Sequence, residues 1–213
     1  MLKVKRQNLF FYENNKKEAK MNRLYKTIVV LLIGVLCVSA GMAETYNIDA
    51  THADIGFKIK HLGINNVRGN FSAFEGTIDY DGKTLDTLSI QMTIKASSID
   101  TGIKKRDAHL RAADFFDVEK YPAITFETKS VHSHGNSVHL VGMFTMKEVS
   151  KEVELSAAVS GPVDSPFEEE VKVIGLHATT KLNRQDFGVS HDGTSDKLIG
   201  DVVHIEINIE AKK

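Results

Sequence analysis

The chain has few of the residues that staple, kink or anchor a small protein. Of its 213 residues one is cysteine, Cys37, three are proline, and none is tryptophan. A single thiol excludes an internal disulfide framework. The prolines, Pro122, Pro162 and Pro166, interrupt no apolar strand pattern. No internal repeat, low-complexity tract or domain linker is present, and no G-x-S-x-G elbow marks a serine hydrolase. The apolar run over residues 28–38 falls short of the roughly 20 residues needed to cross a bilayer.

That run belongs to a different grammar. Residues 20–46 read KMNRLYKTIVVLLIGVLCVSAGMAETY: basic Lys20, Arg23 and Lys26, the apolar stretch, then small residues. This predicts a secretory signal cleaved near Ala43, where Gly41-Met42-Ala43 precedes Glu44. A lipoprotein signal does not fit, because Leu36 stands before Cys37 where a small residue is expected. Met21 would itself begin a signal of ordinary length, so initiation is expected there. The division is therefore residues 1–43 as extension and leader, and residues 44–213 as one domain. Those 170 residues suffice for a sizeable core. They carry 19 basic against 26 acidic side chains, a formal charge of −7. Such a balance disfavours nucleic acid or an anionic membrane surface as a partner.

After Glu44 the apolar residues recur with period two. In IGFKIKHL, Ile55, Phe57 and Ile59 alternate with Gly56, Lys58 and Lys60; in LSIQMTIKA, Leu88, Ile90, Met92 and Ile94 alternate with polar residues. AITFETKSV, HLVGMFTM, KEVELSAAV and VHIEINIEA repeat the pattern, while NFSAFEGTIDY and VKVIGLHATTKL are strands of less certain facing. Asp81-Gly82 and residues 134–137 supply hairpin chemistry. About eight antiparallel strands result, and closure into a barrel is the arrangement that removes their edges. The fold class is all-β, an eight-stranded antiparallel barrel. One stretch breaks the alternation: TGIKKRDAHLRAADFF spaces Ile103, Leu110 and Ala113 as in a short amphipathic helix near residues 102–114, placed to plug or flank a barrel mouth.

The same stretch carries a resemblance. SIDTGIKKRDAHLRAADFFDVEKYPAITFET, then VGMFTMKEVSKEVEL, LNRQDFG and GDVVHIEINIEA, in that order, resemble the YceI-like family of secreted proteins over about Tyr46 to Lys212. The resemblance implies a lipocalin-like barrel that holds a long isoprenoid, amide or fatty chain in an apolar tunnel. One departure is Glu148, which stands where the family usually has glycine before the valine.

Arg106, Asp107 and His109 invite a catalytic reading, with Asp107 and His109 as acid and base. On a helix, Arg106 and His109 share a face, and Asp107 can pair with Arg111. No nucleophile stands beside them, so a structural role pinning the helix to the rim is the expectation, and no catalytic residue is assigned. His132 and His134 share a strand face without a third metal ligand, and His52, Asp54 and His61 make no cage by spacing alone, so no metal is expected. The inward-facing apolar residues Phe57, Ile59, Phe71, Phe74, Ile90, Met92, Ile94, Phe115, Phe116, Phe126 and Phe144 are expected to line the cavity. Alternation alone fits a filled core equally well. Arg106, His109, Asn183 and Arg184 are expected as polar groups at the mouth. The reading is a periplasmic or secreted carrier of a polyprenyl, quinone-type or similar long-chain lipid, without cofactor, forming a homodimer on general frequency and touching a membrane transiently for loading. The alternatives are an enzyme acting on such lipids and a packed structural barrel.

Overall fold

A computed structural model describes residues 42–134, 137–190 and 198–213, except that nothing is described of the His134 side chain. The leader up to Gly41, and Gly135 and Asn136 of the expected hairpin tip, lie outside the described residues. The strands are β1 (Glu44–His61), β2 (Asn65–Phe71), β3 (Phe74–Tyr80), β4 (Ser89–Lys95), β5 (Ile99–Asp100), β6 (Ala123–His134), β7 (Ser137–Met146), β8 (Val149–Asp164), β9 (Lys172–Asn183) and β10 (Ile199–Lys212). One helix, α1 (Lys104–Arg111), enters between β5 and β6.

These strands make a closed eight-stranded antiparallel barrel in which chain neighbours are sheet neighbours. Two of the eight staves are broken. Ser72 and Ala73 separate β2 from β3, and both parts pair with β1: Phe71 opposite Ile55, and Tyr80 opposite Glu44. Their partners break at the same level, where the 3-10 turn Ala96–Ser98 divides β4 from β5. β10 then closes on β1, from Asn47 opposite Lys212 to His61 opposite Ile199. Closure gives the long strands partners on both sides, and among the described strands the short β5 keeps one open side beyond β2.

The two ends of the barrel differ. At the end formed by the start of β1 and the turn between β3 and β4, the interior is filled. Tyr46, Ile78, Val138, Leu140 and Ala211 have no exposed surface, and Tyr80, Leu88 and Ile174 close around them. Each such side chain contributes about 1.5–3 kcal/mol by leaving water. At the other end the strands carry α1 and the segments after it.

Of the expected apolar face, Leu110 packs against the core and lines the cavity, and polar contacts hold the rest of the helix. Ile103 is 53% exposed and caps the helix, Ala113 lies beyond it and is exposed, and the one buried residue of α1 is Asp107. Its carboxylate accepts hydrogen bonds from the Thr101 backbone N–H at 2.9 Å and from Thr101 Oγ1. Arg106 donates to Thr101 Oγ1 at 2.6 Å and to the Thr101 carbonyl at 2.8 Å. Arg111 donates to the carbonyls of Ser97 and Ile99 at 2.7 and 2.6 Å. Three charged side chains thus sew the helix to the Ser97–Thr101 edge, whose other side pairs with β2 through Ile99 and Asp100.

Candidate functional site: an apolar cavity under a polar mouth

Above the filled half, the barrel interior is hollow, with a cavity volume of about 600 Å³. Of the expected lining residues, Phe57, Ile59 and Phe71 face it from β1 and β2, Ile90, Met92 and Ile94 from β4, and Phe126 and Phe144 from β6 and β7. Phe115 and Phe116 reach in from the segment after α1. Phe74 does not line it: it stands at the break between β2 and β3, opposite Ile94, and packs against the core cluster. Aliphatic residues of β8, β9 and β10, among them Val153, Leu155, Leu176, Ala178, Ile205 and Ile207, complete much of the wall, with Ile55, Val67, Ile99 and Ile124 from the other strands and the polar Lys60, His61, Asn65, Thr101 and Thr180. The alternation of β8 and β10 already turned Val153, Leu155, Ile205 and Ile207 inward, whereas the facing of Leu176 and Ala178 on β9 was less certain.

Two glycines make room for the rings. Phe57 lies opposite Gly69, and a Cβ on Gly69 would come within 2.6 Å of its ring. On β7, a Cβ on Gly142 would meet the Phe126 ring and the Glu127 carbonyl at 2.6 Å or less. Both rings therefore lie across backbone and leave the lumen clear. Around the mouth, Phe71 packs at 5.9 Å against both Phe57 and Phe116, and Phe144 meets Phe187 edge to face at 5.2 Å. Such contacts fix ring orientation as well as burying area.

The polar groups at the mouth are already engaged with the protein. Arg106 lines the cavity while bonded to Thr101. His109 sets its ring edge to face with Phe115 at 4.9 Å, and its Nε2 lies 3.4 Å from Asp114 Oδ2. Arg184, only 4% exposed, donates to the carbonyls of Val189 and Gly200 at 2.9 and 3.1 Å and pairs with Asp201 at 3.1 Å. It joins the turn Arg184–Phe187 to β10. Asn183 does not line the cavity. Its side chain accepts from the Gln185 backbone N–H and caps that turn from outside.

Asp107, the other member of the expected cluster, does not line the cavity. Hydrogen bonding from Thr101, helped by Arg111 and Arg106 and opposed by burial, holds its carboxyl below the usual carboxylate range. Its proton is therefore absent at neutral pH, and its Oδ1 accepts both bonds from Thr101. Among the described residues no group of three His, Cys, Asp or Glu side chains is arranged to hold a metal ion. His52 bonds Asp49 at 3.1 Å, far along β1 from His61 at the mouth.

The turn that departs from the expected glycine is a two-residue link between β7 and β8, with Met146 opposite Val149. Lys147 takes the left-handed conformation, φ 57°. Its ammonium donates to the carbonyls of Phe115 at 3.0 Å and Gly188 at 2.8 Å, tying together two segments of the mouth. Glu148 pairs with Lys120 at 3.1 Å.

The comparisons with known proteins agree with this geometry. The model of the YceI-like domain matches residues 46–211. A Pseudomonas aeruginosa protein called UPF0312 protein is 36% identical over 173 residues, covering 79% of this chain and 90% of that one. The crystal structure of Campylobacter jejuni YCEI protein superposes with a TM-score of 0.65 at 34% identity, covering 78% of this chain and 95% of that one. A polyisoprenoid binding domain from Saccharophagus degradans shares the fold, with a TM-score of 0.61 at 15% identity over 78% and 97% of the two chains. The match over nearly all of residues 44–213, with the closed barrel and its capped hollow end, places this chain in the YceI-like family.

Proposed function

We propose that this protein is a periplasmic or secreted carrier that sequesters the chain of an isoprenoid-like amphiphile in its barrel and leaves the head group at the mouth. The observation that carries the reading is the division of the barrel into a filled half and a hollow apolar half. A cavity of about 600 Å³ lies within the roughly 300–1,000 Å³ of small-molecule sites. Ten buried methylenes would contribute about 8 kcal/mol, enough to offset a large part of the cost of association without a charged anchor. That one solved protein of this fold is named for polyisoprenoid binding supports the ligand class, and the basic, apolar and small-residue leader supports export.

In this role the ten cavity-facing residues from Phe57 to Phe144 hold the chain, Arg106, His109 and Arg184 surround its polar end, and no cofactor or metal takes part. No bond is made or broken. The engagement of Asp107 with Thr101 favours this reading over acid-base chemistry, because a base must be free to reach a substrate proton. Native mass spectrometry of the protein purified without detergent, followed by organic extraction, tests the proposal. A stoichiometric long-chain species is the expected result. A bare mass that persists after incubation with quinones, polyprenyl compounds and fatty amides refutes it.

A further inference from the structure

The outer wall beside the mouth carries a charge pattern at odds with the formal −7 of residues 44–213. Arg68, Lys58, His204 and Lys181 are successive Cα partners across four adjacent strands, β2, β1, β10 and β9. They form one row around the barrel and line one outer groove. Lys58 and Arg68 set like charges directly opposite each other across strands, an arrangement that destabilises a sheet. Lys60 stands two residues nearer the mouth. Among the described residues, none of Lys58, Lys60, Arg68 and Lys181 forms an ion pair. Burial first, and then Lys181, Lys58 and Lys60, hold His204 below its ordinary value. The acids of the same groove, Glu206 and Asp54, lie farther from the mouth along β10 and β1, and Asp100 accepts from the Gly102 N–H. Asp201, near the rim, is taken up by Arg184 and Gln185.

Ahead of this row, among the described residues, stands a group of exposed apolar side chains. The tip between β1 and β2 is Leu62-Gly63-Ile64, with Leu62 49% and Ile64 83% exposed. Leu62 donates its N–H to the Leu198 carbonyl at 2.7 Å, which brings Leu198, 45% exposed, alongside. Val202 adds a fourth exposed apolar side chain on the outer face of β10. Leu62 sits at φ 55°, a conformation that favours Gly or Asn and that a leucine adopts at a cost. A tip built for solubility would carry polar residues at both positions. Two separate rules of turn chemistry are therefore broken at one place.

The geometry points to a docking surface for a bilayer that carries anionic phospholipid headgroups. Leu62, Ile64 and Leu198 enter the boundary between headgroups and acyl chains, and Lys58, Lys60, Arg68 and Lys181 meet the phosphates. The row at Lys58 lies four residues behind Leu62, about 13 Å along the strand. Side chains that bury their stems and extend their charge span the remaining distance to headgroups around an apolar tip inserted by roughly 5–10 Å. Because the rest of the domain is acidic, an anionic surface repels it except on this side and orients the mouth toward the membrane. The inference rests on the carrier reading, and it gives the ligand a path between bilayer and cavity without passage through water.

Vesicle flotation tests it, using the purified protein with phosphatidylcholine vesicles containing about one-third phosphatidylglycerol, against phosphatidylcholine alone. Two variants accompany it: Leu62→Gly with Ile64→Asn, which keeps the backbone of the tip, and Lys58→Gln, Arg68→Gln, Lys181→Gln. Farnesol uptake from solution, read by native mass spectrometry, is measured on the same samples. The expected result is flotation with the anionic vesicles only, lost at high salt, and weakened roughly five-fold per cation removed. The tip variant loses roughly ten-fold or more, and farnesol uptake is unchanged in both variants. Equal flotation with neutral vesicles overturns the docking surface. So does farnesol uptake without flotation, which leaves the carrier reading intact. A dimer abolished by the tip variant, in place of flotation, assigns the rim to a second copy and also overturns it. Flotation without farnesol uptake removes the carrier reading and with it the transfer role.

Discussion

Replacing Asp107 separates the two roles open to the charged helix. Asp107→Ala removes a carboxylate that is 5% exposed and accepts two hydrogen bonds from Thr101. Hydrogen bonds to a charged group contribute about 1.5–3 kcal/mol each, and truncation also leaves the Thr101 N–H without its acceptor. The expected loss is about 3–5 kcal/mol. For a domain of this size each kcal/mol shifts Tm by roughly 2–4 °C, so a fall of about 6–20 °C follows. Asp107→Asn keeps one acceptor oxygen without the charge and should lose about half as much. Thermal unfolding followed by circular dichroism at neutral pH measures both. The pH dependence has a fixed sign. The folded pKa lies below the unfolded one, so the carboxylate's contribution is fully present above the unfolded value and is lost as pH falls through it toward the folded value. The gap between the wild type and Asp107→Asn must therefore narrow in acid. A Tm for Asp107→Ala within about 2 °C of wild type at neutral pH refutes the assignment of Asp107 as a structural pin.

Three further outcomes follow from the same geometry. Ala178→Phe, on the β9 wall of the cavity, should abolish binding of the longest chains while sparing short ones, read by native mass spectrometry against farnesol and longer polyprenols. Gly142→Ala should drive the Phe126 ring off β7 and cost about 1–3 kcal/mol in chemical denaturation, whereas Gly102→Ala, with open space around it, should lose only backbone strain. Lys147→Ala should release two mouth segments at once, raising hydrogen exchange around Phe115 and around Gly188 while β7 and β8 keep their protection.

Period-two alternation was enough to read the barrel, because a strand with one wet face leaves little choice about which residues turn inward. It could not show the breaks in two staves. Those depend on β1 splaying from one partner to another, and Ser72 and Ala73 carry no turn signal of their own. Facing was legible for Phe57, Ile90 and Phe126. The level of each residue along the barrel axis was not, and level decides whether an inward side chain joins the filled half, as Tyr46 does, or the wall of the cavity. Asn183 was misplaced for a related reason: a polar residue at a strand end can face a mouth or cap the following turn, and spacing does not distinguish the two. The row from Arg68 to Lys181 was invisible because each member lies on a different strand. The net charge even pointed the other way, since a sum over residues has no memory of position.

The seam between β1 and β10 joins the first strand of the domain to the last. Contacts that span nearly the whole chain form slowly, because loop closure is paid before the contacts reward it. No N-terminal fragment can complete the ring, so closure waits until the C-terminal strand is available. The fold thereby has its own timer: the ring cannot close until β10 has been made.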